Sequence, residues 1–141
     1  MFKTILVPTD ASESAQRALM IAIDLAKEFG SQIVLLHVVY TPEALGYTLS
    51  SGITVPQEEI SIYGREALTA TLDGIDTGDV PIRKKQKPGR PAAAILEEIE
   101  SGHFDLVVMG SRGYGPLSGY LLGSVSQRVV SIAECPVMIV A

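Results

Sequence analysis

Short apolar runs alternate with amphipathic stretches along the chain, and this alternation predicts strands and helices in turn. The first apolar run, 2–7, stops at Pro8 and is typical of a buried strand. The next stretch has Ser12 as a helix cap, apolar residues at helical spacing and Gly30 as a stop. A continuous apolar run within 31–39 predicts a second strand that helices cover on both faces.

The rest of the chain continues the alternation of strands and helices. Strands alternating with helices favour a parallel sheet with right-handed crossovers and helices on both faces. The stretch 40–57 fits neither element, since it is rich in Thr, Pro, Gly and Ser, and we expect a mobile loop or lid there. The remaining predicted elements are helices over 58–72, 91–101 and 123–133 and strands over 80–87, 105–109 and 137–140.

Charge places the third strand at an edge of this sheet. It carries Arg83, Lys84, Lys85 and Lys87, and lysines on an edge strand discourage pairing with another chain. The strand order 3-2-1-4-5 follows, with a switch point between strands 1 and 4 beyond which ligands of such sheets bind. The same cluster could instead be a nucleic-acid patch, but it lacks interleaved aromatic residues and the chain is acidic, so a solvated edge is favoured.

Length and composition favour one soluble domain over 1–141. The chain has 47% hydrophobic residues and a net charge of −5, which opposes a general role with nucleic acid or anionic membranes. Cys135 is the only cysteine, so no internal disulfide forms and a reducing, cytoplasmic setting is expected. We expect neither a cleavable export signal before Pro8 nor membrane insertion, since no uncharged apolar run approaches roughly 20 residues.

Two polar turns fall at the predicted switch point. Pro8, Thr9 and Asp10 lie at the carboxyl end of the first strand, and the glycine-containing stretch 109–113 lies at the carboxyl end of the fourth. Nine residues further on, the stretch 123–126 (Gly-Ser-Val-Ser) opens a helix, whose exposed N–H groups and dipole favour a phosphate. Glycine lets the backbone approach a ligand closely, and the two serines can add hydroxyl donors.

Each of these residues also has a structural interpretation. Asp10 can cap the first helix, and the serines can cap the fourth. Gly110 and Gly113 can simply shape a tight turn, because glycine adopts positive φ without strain. The coincidence of both turns at one switch point favours a ligand at Asp10 and at the glycines, whereas Arg112 stays open between a phosphate contact and a surface loop.

Two common nucleotide motifs are missing. The chain has no Gly-x4-Gly-Lys-Ser/Thr, and its first turn lacks Gly-x-Gly-x-x-Gly, which disfavours P-loop hydrolysis and NAD binding. No obvious general base or pair of metal-binding carboxylates accompanies the phosphate turn. We therefore expect hydrolysis of a phosphate ligand at this turn, if any, to be slow.

The glycine spacing resembles a known signature. Gly110-x2-Gly113-x9-Gly123-Ser124 is similar to the ATP-binding signature of universal stress proteins, and the segments 8–12, 37–39 and 135–140 resemble other parts of that family. The resemblance covers 2–140 and implies a three-layer, Rossmann-like α/β fold of the adenine-nucleotide α-hydrolase type. It also implies ATP, with Mg²⁺, as the ligand.

The resemblance further implies a role for each site position. Asp10 would face the ribose or a metal-bound phosphate, and Val38 would lie against the adenine, with Pro8 and Thr9 in the first turn of the site. The ribose and phosphates would be bordered by Met109, Gly110, Arg112 and Gly113, and the phosphate chain would be cradled by Gly123, Ser124, Val125 and Ser126.

The expected function is regulatory, with nucleotide occupancy altering the conformation of the protein or its partners. Two alternatives stay open: an ATP-dependent enzyme on the same fold, and a dimeric interaction protein that binds AMP, cyclic AMP or no nucleotide. The residues 137–140 form an uncharged apolar strand at the predicted edge, which favours a homodimer through this strand, and the resemblance implies the same. The sequence does not identify a protein partner.

Overall fold

The computed structural model describes residues 1–39, 57–111 and 122–141. The predicted loop over 40–57 lies outside the described residues except for Gln57, where a helix begins. None of the helices in the described segments is long and apolar enough to cross a membrane. The strands are β1 (Thr4–Thr9), β2 (Gln32–Val39), β3 (Ile82–Pro88), β4 (Leu106–Gly110) and β5 (Val137–Val140), and the helices are α1 (Glu13–Phe29), α2 (Gln57–Leu72), α3 (Pro91–Gly102) and α4 (Ser124–Ile132).

The five strands form one parallel sheet in the order β3-β2-β1-β4-β5, which confirms the predicted order. Alternate residues of β1 point to opposite faces of this sheet. Ile5 and Val7 pack into a core with α1 and α2, whereas Leu6 packs into a second core with α3 and α4. The result is the parallel sheet with helices on both faces that the alternating pattern predicted, and it has the three-layer, Rossmann-like arrangement that the resemblance implied.

Local signals at both ends of α1 act as predicted. The Ser12 hydroxyl oxygen accepts the N–H of Ala15 at 3.2 Å, which satisfies one of the helix's free donors. Gly30 ends the helix with a φ of 67°, and its N–H donates to the Ala26 carbonyl. Ser12 and Gly30 therefore fix where α1 begins and ends in the connection from β1 to β2.

The first strand lies two residues further along the chain than predicted, over Thr4–Thr9. Phe2 does not enter the strand, because its ring packs edge to face against Phe29 at the end of α1, with the ring centroids 5.4 Å apart. At the other end the strand continues through Pro8, which the apolar pattern had taken as a stop.

The lysine-rich β3 lies at the sheet edge as predicted, and two of its lysines form ion pairs with a buried carboxylate. Glu98 of α3 is only 4% exposed. Lys85 Nζ lies 2.7 Å from one oxygen of this carboxylate, and Lys87 Nζ lies 3.6 Å from the other. A buried carboxylate is costly unless it is paired, so these lysines hold α3 against the edge strand.

Replacing Lys85 with methionine tests this ion pair. We expect Lys85→Met to lower the free energy of unfolding by about 1–3 kcal/mol, because Glu98 then keeps only the longer contact with Lys87. Lys84→Met is the matched control, since Lys84 is exposed on the same strand, and it should change stability by less than about 0.5 kcal/mol. Urea denaturation followed by circular dichroism measures both, and equal effects would contradict a stabilising role for Lys85.

Candidate functional site

The hydrogen-bond ladder between the two central strands, β1 and β4, ends before their carboxyl ends. β1 pairs with β4 only as far as Leu6 and Val107. The ladder between β1 and β2 continues to Thr9, and the ladder between β4 and β5 continues to Gly110. The helices that follow these two strands, α1 and α4, pack on opposite faces of the sheet, so the connections leave a crevice beyond the strand ends, which is where ligands of open parallel sheets bind.

Pro8 explains why the β1–β4 ladder stops. The Lys3 carbonyl accepts from Gln32 at 2.9 Å on the β2 side, whereas the Thr4 carbonyl accepts from Asp105 at 3.0 Å on the β4 side. The N–H and C=O of one residue point to the same side of a strand, so every second residue of β1 from Thr4 onward faces β4. Pro8 is one of these residues. Because it has no N–H to donate to β4, the β1–β4 ladder does not continue past Leu6.

The first turn of the crevice is held by side chains. The Thr9 hydroxyl oxygen accepts the N–H of Ala11 at 2.9 Å, and the Asp10 carboxylate accepts the N–H of Ser12 at 3.0 Å. Ala11 has a φ of 66°, a left-handed conformation that costs a residue with a Cβ about 1–2 kcal/mol. Asp10 is exposed, and its carboxylate has acceptor capacity beyond this bond, so the capping and the ligand interpretations are compatible.

The end of β2 lies beside this turn. His37 Nδ1 is 2.8 Å from the Thr9 carbonyl oxygen, which can only accept, so Nδ1 carries the proton in this contact. Val38 points to the other face of the sheet, where it is 8% exposed and packs in the α3–α4 core. The place of adenine against Val38 stays a prediction.

The end of β4 forms the opposite wall of the crevice. Met109 is buried in the core beneath it, and the partly buried Val125 packs against that core. Gly110 lies directly against α1, since a Cβ there would be 2.8 Å from the Ser14 backbone carbon and would collide with the Ser14 hydroxyl oxygen. This glycine is therefore required for packing, whatever it does toward a ligand. The predicted site residues Arg112 and Gly113 lie outside the described residues.

The start of α4 is tied to the end of β4. The Gly123 N–H donates to the Ser111 carbonyl at 2.7 Å, and the buried Ser126 hydroxyl donates to the same carbonyl at 2.8 Å. A hydroxyl has one proton, so the proton of Ser126 is not available to a phosphate while this bond stands. Ser124 is exposed, and no side chain caps the helix, so the N–H groups of Ser124 and Val125 have no intrahelical acceptor.

The described site residues therefore fall into two sets. Thr9, Asp10 and Gly110 line the two walls of the crevice, and the stretch 123–126 begins beside the second wall. Val38 and Met109 lie beneath them in the core. The crevice thus offers a phosphate the first backbone N–H groups of a helix and offers a ribose or a cation the Asp10 carboxylate.

Sequence reasoning missed two residues of this region. The Ser111 carbonyl accepts hydrogen bonds from Gly123 and Ser126 at the start of α4. The hydroxyl oxygens of Thr71 in α2 and Thr9 are 2.7 Å apart. The contact between Thr9 and Thr71 joins residues 62 positions apart and follows no motif spacing, whereas Ser111 lies inside the glycine signature at a position that the signature leaves unspecified.

Other reactive side chains are not gathered at the crevice. Within 1–39, 57–111 and 122–141, no group of three His, Cys, Asp or Glu residues could hold a metal ion. Partial burial raises the pKa of the Cys135 thiol, and the charge of Asp105 adds to the rise, which makes a nucleophilic thiolate unfavourable at neutral pH.

Comparison with known proteins identifies relatives over the full chain. The family model of universal stress proteins matches residues 1–141. A universal stress protein of Thermus aquaticus is 36% identical over 142 residues, which cover 99% of each chain. A universal stress protein solved in complex with cAMP is 27% identical with a TM-score of 0.68, covering 99% of this chain and 96% of that one. An Arabidopsis thaliana protein of the family, with AMP bound, is 25% identical with a TM-score of 0.66, covering 98% and 90%.

The packing requirement at Gly110 is testable by adding a methyl group. Gly110→Ala should lower the free energy of unfolding by about 2–3 kcal/mol, because the methyl meets the backbone of Ser14, which cannot rotate away. Gly64→Ala in α2 is the control: its methyl meets the movable side chain of Gln86, and alanine gains about 1 kcal/mol of helix propensity. Its net cost should be smaller. Urea denaturation that ranks the two variants in the opposite order would contradict this account of Gly110.

Proposed function

The chain belongs to the universal stress protein family, as its glycine spacing predicted, and we propose that it binds an adenine nucleotide in the crevice between β1 and β4. The observation that carries this proposal is the switch point between β1 and β4, where the following helices α1 and α4 pack on opposite faces of the sheet and a crevice lies beyond the strand ends. The relatives of known structure that hold cAMP and AMP support the same class of ligand.

The phosphates are proposed to lie at the start of α4. There the N–H groups of Ser124 and Val125 have no intrahelical acceptor, and the helix dipole favours negative charge. Asp10 would face the ribose or a phosphate-bound cation from the opposite wall, and Val38 would approach the adenine. The remaining residues of the proposed site are Pro8, Thr9, Met109, Gly110, Arg112, Gly113, Gly123 and Ser126.

Among adenine nucleotides we propose ATP with Mg²⁺. A helix start whose first N–H groups have no intrahelical acceptor suits a chain of phosphates. Mg²⁺ commonly binds through substrate phosphates and one or two carboxylates, and Asp10 brings one carboxylate to the crevice. Within the described residues the crevice presents backbone amides and this carboxylate, so the proposed role is regulatory, with occupancy rather than rapid turnover as the signal. AMP and cyclic AMP are the competing ligands.

A carboxylate placed at the start of α4 should compete with the phosphates. Ser124→Glu is expected to weaken ATP binding at least about tenfold, since its charge would repel the phosphates at close range. The fold should not lose stability, because an acidic residue in the first turn of a helix is favoured by the helix dipole. Isothermal titration calorimetry with ATP, ADP, AMP and cyclic AMP, each with and without Mg²⁺, measures both the preference and the loss.

Ser131→Glu is the control for this experiment, because it adds the same charge to the last turn of α4, where Ser131 is exposed. It should leave the affinity close to that of the parent protein. A parent protein that binds none of the four nucleotides would contradict the proposed function. Unchanged affinity in Ser124→Glu would place the phosphates elsewhere.

A homodimer through β5 is the second part of the proposal. β5 lies at the sheet edge, and the N–H groups of Val107 in β4 and of Ser111 directly after it donate to the carbonyls of Pro136 and Val140 at 3.0 and 2.8 Å. The even-numbered residues of this strand therefore face β4, and Val137 and Ile139 direct their N–H and C=O groups to the open edge. Two antiparallel copies would satisfy these groups across a twofold axis.

Replacing Ile139 with proline tests dimerisation without disturbing the fold of the single chain. Ile139→Pro removes an N–H that faces the open edge and leaves the β4–β5 bonds intact, so it should give a folded monomer. Ile139→Val keeps the N–H and should stay dimeric. In analytical ultracentrifugation at tens of micromolar, the parent should sediment at twice the 15.0 kDa chain mass. A parent at the mass of one chain would rule out the dimer.

A further inference from the structure

A buried chain of hydrogen bonds runs from the first turn of the crevice to α2. Thr71, in the last turn of α2, is fully buried, and its hydroxyl donates to the Ala67 carbonyl at 2.8 Å. The hydroxyl oxygens of Thr71 and Thr9 are 2.7 Å apart. The N–H of Ala11 completes the chain by donating to the Thr9 hydroxyl oxygen at 2.9 Å.

Counting protons gives the direction of this chain. A hydroxyl has one proton, and Thr71 uses its proton on the Ala67 carbonyl. Thr9 must therefore be the donor in the contact between the two threonines. As a donor, Thr9 is polarised into a better acceptor for the N–H of Ala11, because hydrogen bonds in a chain strengthen one another.

The turn at the end of this chain needs such support. Ala11 has a φ of 66°, in the left-handed region that an alanine adopts only where its surroundings hold it. The bond from its N–H to Thr9 is one of the contacts that hold it. The same turn carries Asp10, so the position of this carboxylate depends on the conformation of Ala11.

The other end of the chain is an anchor of α2. Among the residues of this helix whose side chains are described, only Gly64, Leu68 and Thr71 are buried, and the partly buried Leu72 packs against the same core as Leu68. The contact with Thr9 adds a buried polar anchor to these two leucines where the end of α2 docks on the sheet. Gln16 of α1 adds a bond to the Ala70 carbonyl at 3.0 Å.

We propose that Thr71 is a positioning residue for the first turn of the crevice, and that nucleotide occupancy is coupled through the Thr9–Thr71 bond to the docking of α2. The ligand in this statement rests on the proposed function, whereas the link between turn and helix does not. Coupling between two sites is reciprocal, so a nucleotide that tightens the turn also tightens the end of α2.

The test removes the hydroxyl of Thr71 while keeping its shape. Thr71→Val leaves the Thr9 hydroxyl without its buried acceptor, and Thr9 can then reorient and release the N–H of Ala11. We expect about tenfold faster amide exchange at Ala11 in the nucleotide-free protein, measured by NMR, with unchanged exchange at Leu6 in the central strand. ATP affinity should fall about tenfold as well.

Three further variants separate the hydroxyl from general effects. Thr71→Ser keeps the hydroxyl and should restore both exchange and affinity, and Thr71→Cys, a weaker hydrogen-bond partner, should fall between serine and valine. Thr69→Val is the matched control, because Thr69 is exposed on the same helix, and it should behave like the parent.

Each outcome decides between coupling and a purely structural role. Faster exchange confined to the turn in Thr71→Val, with rescue by serine, supports the proposal. Unchanged exchange at Ala11, equal losses in the serine and valine variants, or equal acceleration at Leu6 would overturn it. If the parent binds no nucleotide, the proposed function fails, and the exchange measurement still decides whether Thr71 positions the turn.

Discussion

Pro8 brings a residue without an N–H group into the middle of a hydrogen-bonded sheet, on the side that faces β4. The ladder between the two central strands ends at Leu6, just before it. The strand keeps its place because its other side remains bonded to β2 as far as Thr9. The β1–β4 ladder therefore ends short of the first turn, at the switch point where α1 and α4 leave on opposite faces of the sheet.

Sequence patterns predicted the fold well where the signals are local. Ser12 and Gly30 mark the ends of α1 because capping depends on a few neighbouring residues. The end of the first strand was predicted wrongly at Val7, because the effect of Pro8 depends on which neighbouring strand its backbone faces. The burial of Glu98 was also missed, since this residue lies in α3 and the lysines that pair with it lie in the edge strand β3.

The candidate site was predictable in place but not in detail. The polar turn with Thr9 and Asp10 and the glycine turn 110–113 pointed to this crevice, because parallel strands bring their carboxyl ends to one edge of the sheet. The pattern could not show that Gly110 is needed for contact with Ser14, or that the Ser126 proton is engaged by Ser111. Thr71 gave no signal, because its partner Thr9 is 62 positions away in the chain.

The two edges of the sheet differ in chemistry. At β3, Arg83 and Lys84 are exposed and would repel the same edge of another copy, whereas β5 is uncharged. A sheet with only one edge open to strand pairing can bind one other sheet. In that dimer the open edges of both molecules are paired with each other. Association by strand pairing would therefore terminate at two chains and would not propagate into a fibre.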